Sequence, residues 1–499
     1  FVSKAKTPGA NNSIVTNNAW LSCGANGTGY LILKDNAQYV EGSDFNFGDY
    51  GAAGTVGYLT IQDNARVYLY NNPGVYVGKT AGAFGYVTQT SGIVDARNAG
   101  VFQLGQSVGS YGEWDQSGGT NYAGGWLSIG RGGDPSSTGV YNISGGLLDQ
   151  TGTGNGLIVG EQGSGTLNIS NSARVVSEAN DSGIGVAIGW NGGVGTLNLN
   201  GGTLVANYIQ GGTGSSTFNF NGGLLQAGVN ARLNFMTNVT TVYLYNSSVI
   251  DTVTNTIAIN SAIYDGGQNG TLTKNGSGTL LLDGASSYSG ATIAAAGSLG
   301  GVGSIMGPLT VQSGASLAPG DNGIGTFTAG TVTLASGSST VMELNGTDKT
   351  SDQLAASTVT YGGTLVLKNL NGQLAFNDTF TLFPTPGTGS FSSVQSITPG
   401  QAVTWDTTQL NVNGTVKVLS VTTTTPPNIT TSVTTDAGGS SLTIAWPAGN
   451  TGYTLQVQSN PANVGLSTNW VDVAGSSSTN MVTVPIDPAA GSTFYRLVQ

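Results

Sequence analysis

What most constrains this chain is a segment that returns without gaps along its first half. Five-residue runs beginning at Gly29, Gly57, Gly85, Gly112, Gly139, Gly165 and Gly195 align directly, and successive positions differ by 28, 28, 27, 27, 26 and 30 residues. A shortened eighth copy ends at Thr217-Phe218-Asn219-Phe220. Between these copies an apolar-x-apolar-Gly signature recurs, closing at Gly48, Gly78, Gly105, Gly130, Gly160 and Gly189. A period in this range marks a repeat architecture. Period-two alternation bounded by Gly, Asn, Ser and Asp marks strands. No segment carries a capped 3.6-residue apolar period, so little or no helix is expected.

Propeller blades need about 40–50 residues each. A repeat of about 27 instead suits one coil of a right-handed parallel β-solenoid with two or three strands. Such coils bury together a core that none could bury alone. The aligned third position (Leu31, Leu59, Val87, Trp114, Tyr141, Leu167, Leu197, Phe218) reads as a core stack. The fifth (Leu33, Ile61, Gln89, Gln116, Ile143, Ile169, Leu199, Phe220) reads as a second. Gln89 and Gln116 are expected to satisfy each other there, offsetting the cost of burying amides. The fourth position becomes Asn142, Asn168, Asn198 and Asn219. Equivalent residues about 4.8 Å apart predict a hydrogen-bonded ladder.

Composition narrows the function. Charged residues are 8% and hydrophobic residues 38%, with 81 glycines in 499 residues. That apolar content is too high for a disordered chain. The net charge is −11 and the basic residues are scattered, so nucleic acid and anionic membranes are poor partners. No stretch reaches the length of a membrane span. Phe1-Val2-Ser3-Lys4 lacks the layout of a signal peptide. The expectation is therefore a secreted, extracellular or cell-surface protein whose signal peptide has already been removed. The single Cys23 permits no intramolecular disulfide and reads as a small buried residue, with an intermolecular link as the alternative.

Chemistry is sparse. There is no histidine, which removes Ser-His-Asp and Cys-His sites and His-ligated metals. Glu113 and Asp115 share one strand face, with Arg131 and Glu161 as neighbours in later coils. A solvated face is weighed there against the paired carboxylates of a glycosidase. Asp134, Asp321, Asp348 and Asp352 are loop acids that could hold calcium but match no calcium motif; ordinary turn roles are preferred. Tyr68, Tyr70 and Tyr76 are either a sugar-stacking surface or packing on the flank. No catalytic residue, cofactor site or metal site is assigned.

From about Gly270 the texture changes. The run from Leu272 through Lys274, Gly276, Gly278, Leu280, Leu282, Gly284, Tyr288 and Gly290 to Thr292 resembles the autotransporter-associated β-strand repeat, with Ser286 where that pattern has Asn. Stretches to about 420 (Gly314–Gly320, Gly363–Leu367, Asp378–Leu382) fit the same resemblance. It implies a bacterial surface β-helix, export and a passive scaffold role. Autotransporters end in a membrane β-barrel; these residues contain none, so self-export by that route is not expected. Residues 433–499 resemble a fibronectin-type-III-like β-sandwich, with strands near 441–446, 452–458, 469–473, 480–485 and 493–498.

The expected organisation is an N-terminal arm or cap at 1–18, regular solenoid repeats at 19–265, a continuation at 266–418, a Thr/Pro linker at 419–432 and the sandwich at 433–499. Three functions follow in order. The first is a subunit of a self-assembling surface filament or layer, joined head to tail through uncapped ends. The second is a monomeric adhesin for a polysaccharide or cell surface. The third is a β-helix polysaccharide lyase or glycosidase, disfavoured because an acidic chain repels acidic polysaccharides.

Overall fold

Gly29 lies opposite Gly57, and Gly57 opposite Gly85, in parallel register. The column continues through Gly112, Gly139, Gly165 and Gly195 without a slip. The register is therefore the gapless alignment of the sequence copies. A computed structural model describes residues 2–3, 13–50, 54–150, 156–178, 185–321, 323–423, 428–436, 439–448, 453–462, 464–487 and 491–498. Among these the chain is a parallel β-solenoid followed by small antiparallel sheets, with one α-helix of four residues, Leu410–Asn413, and single 3-10 turns at Trp190–Gly192 and Ser476–Ser478.

Each regular coil has three strands. In one coil these are Val56–Ile61, Arg66–Leu69 and Gly74–Val77. The first two runs stack in one large sheet and the third in a second sheet. Leu21–Cys23 opens the second sheet, and each rung pairs parallel with the next as far as Ser393–Ile397. Between the sheets lies one continuous apolar core, which holds the third-position column from Leu31 to Phe218.

Gly48 shows why the corners need glycine. Its φ is 69° and its N–H donates to the Cys23 carbonyl of the preceding coil at 2.9 Å. A Cβ on it would lie 2.2 Å from the Phe84 carbonyl oxygen of the next coil. Glycine meets the left-handed conformation and the close stacking together.

Two polar expectations meet different outcomes. Asn219 donates to Asn198, Asn198 to Asn168 and Asn168 to Asn142, each at 2.6 Å. This is the predicted ladder, and Asn142 extends it to Asp115 at 2.7 Å. Gln89 and Gln116 have other partners than each other. Gln89 accepts from the Trp114 indole at 3.2 Å, while Gln116 accepts from Tyr141 at 2.8 Å and donates to the Gly119 and Leu147 carbonyls. The large polar rings on neighbouring rungs reach these amides first.

The strands of the N- and C-terminal segments fall as follows. Within 1–18, Ile14–Asn17 pairs parallel with Gln38–Glu41, as an outermost rung. Residues 1 and 4–12 of the arm lie outside the described residues. At the other end, Thr415–Thr423 pairs antiparallel with Gln401–Asp406 and Thr379–Thr381. Phe380, Leu382, Val416 and Val418 of this sheet join the solenoid core. The stretch read as a linker thus begins inside a strand and re-enters one at Thr430–Asp436, with residues 424–427 outside the described set. Beyond it, Gly439–Ala445 pairs with Thr430–Asp436 and Met481–Pro485. Thr454–Asn460 pairs with Val471–Asp472 and Ser492–Val498. The two sheets share a small buried cluster of Ile444, Trp446 and Leu455.

Candidate functional site on the outer face of the second sheet

The nominated carboxylates do not converge. Glu113 accepts from the Tyr111 hydroxyl at 3.0 Å and from Asn142 at 3.2 Å, and Asp115 terminates the asparagine ladder. Both sit on the first sheet and are used in structural bonds. Arg131 and Glu161 instead follow rungs of the second sheet and pair with each other at 3.3 Å. They are therefore not neighbours of the Glu113 cluster.

The three nominated tyrosines do not form one surface. Tyr68, on the first sheet, accepts from Arg66 at 3.1 Å. Tyr70 bonds Asn18. Tyr76, on the second sheet, lies under the Lys79 ammonium at 4.3 Å. The aromatic row that does form was missed in the sequence. Tyr30, Tyr58 and Tyr86 stack at 4.8 and 5.3 Å with interplanar angles of 7° and 16°, and Tyr111 extends the row at 5.6 Å. For the first three rings the signal is the residue after the repeat glycine, whereas Tyr111 precedes its glycine, Gly112. Because the rings cover each other's faces, this row braces the coils and offers a sugar little more than edges.

The loop acids are also dispersed. Asp134 accepts from the Ser136 backbone and hydroxyl, and Asp348 from Asn345. Asp321 and Glu343 line a shallow depression of about 240 Å³. Asp352 lies buried, accepting from the Gly325 and Glu343 backbone N–H groups at 2.8 Å each. No cluster of three or more metal-ligating side chains occurs among the described residues. Cys23 is buried, and burial raises its thiol pKa.

Asp352 has a measurable consequence. Burial, reinforced by nearby Glu343, pushes its pKa up to about 7 against the two backbone donors and Lys368. The folded chain then holds this proton where the unfolded chain, with an ordinary aspartate near 4, has lost it. Stability therefore falls as pH rises between about 4 and 7, by up to about 4 kcal/mol from this group. Burial raises Glu41 and Asp283 as well, in the same direction. The melting temperature is expected to be higher at pH 5 than at pH 8, with a smaller difference in Asp352→Asn. An unchanged difference in the variant would assign the effect to other groups.

The remaining unusual surface is the outer face of the second sheet. Its inward residues, such as Phe45, Phe47, Val75 and Val77, belong to the core, so alternation turns Asn46, Tyr76, Gln103 and Ser128 outward. Charged side chains fold across these rungs. Lys79 reaches Asp44 at 3.0 Å and Asn46 at 3.3 Å, and Ser128 donates to Glu161 at 2.5 Å. Further along, the face opens. Two adjoining depressions of about 580 and 350 Å³ share Gln210 and Asn238. They occur where Asn234–Thr237 meets Thr256–Ile259 with a register shift between Asn234 and Met236. A bulge of this kind re-aims side chains. Trp190 stands at one end, on a turn set by Gly189 at φ 67° and Asn191 at φ 49°. At the other end the Arg232 guanidinium lies over the Tyr208 ring at 3.8 Å. Of these residues only Gly189 stood out in the sequence, as the end of the apolar-x-apolar-Gly signature; Trp190, Asn191, Arg232 and Asn238 sit in corners, and Gln210 and Asn234 lie in short strands of the irregular coils.

Fold and surface together define the class: a β-solenoid repeat protein with structural polar ladders on one sheet and an open, amide-rich groove on the other. Within it, residues 272–299 match the family model of the passenger-associated transport repeat, so the chain carries an autotransporter-associated repeat as one stretch of its solenoid. No curated protein matches the chain. Among solved structures, the Haemophilus influenzae Hap adhesin matches at 11% identity, covering 79% of this chain and 64% of its own, with a TM-score of 0.23. The chain thus spans less than two thirds of that protein's length. No helix among the described residues is long and apolar enough to cross a membrane.

Proposed function

We propose that the chain is an extracellular bacterial surface protein, an elongated scaffold that holds adhesive side chains on its flank and performs no catalysis. The observation that carries this reading is the passenger-associated transport repeat set in register within an unbroken parallel stack. Its ion pairs join neighbours within the scaffold, and the carboxylates weighed for glycosidic cleavage are spent on ladder and turn bonds. The terminal pair of small sheets, read as fibronectin-type-III-like, serves as an attachment module.

A specific observation favours a second reading, head-to-tail assembly. Ile14 and Val15 are exposed on the outermost rung, and Val394 and Ile397 are exposed on the last rung of the second sheet. Open rungs with apolar side chains can add another strand. Negative-stain electron microscopy over a concentration series separates the two. Isolated rods of roughly 60–75 Å at every concentration are expected for the adhesive scaffold. Uniform fibres that vanish when residues 1–18 are removed would replace it with the filament reading.

A further inference from the structure

We infer that the paired depressions on the second sheet form a binding groove for an uncharged oligosaccharide, an inference that rests on the adhesive reading above. Their lining is drawn from the rungs Ile209–Gly211 and Asn234–Thr237 and from the corners that follow Val186–Ile188 (Trp190, Asn191) and Thr256–Ile259 (Asn260), roughly 14 Å across four coils at strand spacing. The combined volume lies in the range of small-molecule sites.

Three observations point to a sugar. First, Trp190 is half-buried, lines the groove and has no ring, cation or side-chain hydrogen-bond partner among the described residues. An indole with an unused face and N–H is a platform for the apolar face of a pyranose ring. Second, the asparagines here are unspent. On the first sheet, Asn142 to Asn219 pair along a ladder, and Asn200, Asn221 and Asn246 pair along another. The Asn234, Asn238 and Asn260 side chains line the groove and bond to no described residue. Each amide offers a donor beside an acceptor, which matches hydroxyl groups that both give and accept. Third, the floor is held low. A Cβ on Gly211 would lie 1.9 Å from the Asn238 carbonyl oxygen, so glycine brings this corner against the next coil and leaves Asn238, at φ 56°, on the rim.

The groove's charges decide the ligand class. Among the described residues its lining contains Arg232 and no carboxylate. Glycosidic cleavage requires two carboxyl groups flanking the bond, so the groove holds a sugar without cutting it. The guanidinium is engaged with the Tyr208 ring, and the chain's net charge of −11 opposes polyanions. A neutral glycan uses the amides fully without that opposition.

The test is isothermal titration of the full chain with neutral hexose oligosaccharides and with uronate oligosaccharides, repeated on Trp190→Ala and on Asn234→Ala/Asn260→Ala. The expected result is binding of a neutral oligosaccharide that weakens about tenfold or more in each variant at unchanged melting temperature. Binding confined to uronates would overturn the neutral class. Neutral binding of equal strength in the variants would overturn the site and leave the adhesive reading standing. With no oligosaccharide bound, the groove proposal fails, and a parallel measurement of adhesion to glycan-coated and protein-coated surfaces decides the adhesive reading separately.

Discussion

Gly139→Ala is expected to destabilise the protein by about 3 kcal/mol or more, a loss as large as truncating a core leucine. Gly139 faces Gly112 and Gly165 in the repeat column. A Cβ there would lie 2.2 Å from the Gly130 nitrogen and 2.6 Å from the Leu104 carbonyl oxygen. Those two atoms form the 2.8 Å hydrogen bond that joins successive corners of the second sheet. The obstacle is backbone on both sides, so no rotamer change relieves it. In a quasi-one-dimensional stack each coil leans on its neighbours, and a defect stays local until it splits the array. Hydrogen exchange in Gly139→Ala should therefore rise first in the rungs around 104–165, with the 300–400 region still protected. Uniform loss of protection along the chain, or no loss, would show that the corner does not set local stability. Leu167→Ala in the next coil provides the comparison, with a cavity cost of about 2–5 kcal/mol.

Much of this was legible because a solenoid repeats its reasons. The column Gly29 to Gly195 fixed a register that the hydrogen bonds reproduce, and the asparagine ladder followed from one polar position between two apolar ones. The middle strand of each coil was not seen. Gln38–Glu41, Arg66–Leu69, Ile93–Ala96 and Thr120–Ala123 share no fixed residue, and four residues are too few for alternation to stand out. The tyrosine row was missed for a different reason: attention to positions three, four and five passed over position two. The groove at Trp190, Gln210 and Asn238 arises where the eighth copy shortens and the register shifts. A break in the repeat carries no pattern of its own, so only the coordinates show what the break exposes. The glutamine pair shows the limit of row-by-row reasoning. Gln89 and Gln116 are adjacent in their column, yet Trp114 and Tyr141 from the next column claim their oxygens.

Lys274→Met is expected to cost about 3 kcal/mol or more, because it removes a buried charged donor and leaves buried carbonyls unsatisfied at about 1–3 kcal/mol each. Lys274 is the lysine of the Leu-x-Lys-x-Gly-x-Gly stretch, and it is fully buried. Its ammonium donates to Thr252 Oγ1 at 2.9 Å and to the carbonyls of Asn275, Gly276 and Ala296 at 2.9, 2.7 and 3.0 Å. Those four oxygens come from three successive coils, at corners where glycines at 276 and 297 carry positive φ and turn their neighbours' carbonyls inward. Burial pulls the lysine pKa down to about 8, partly opposed by Asp251. At neutral pH the ammonium stays charged, with the four oxygens standing in for its water. Methionine keeps the stem and its packing but takes the ammonium from all four oxygens; the Asn275 carbonyl still accepts from Thr252, while the Gly276 and Ala296 carbonyls lose their donor in a dry corner. Arginine keeps the charge but brings a planar fork too wide for a site closed by backbone on several sides, so Lys274→Arg should fail as well. Thermal melting with hydrogen exchange at 250–300 reads the effect. A Met variant as stable as the parent would mean that the lysine is tolerated in the repeat, and that the corner is held by glycine geometry alone.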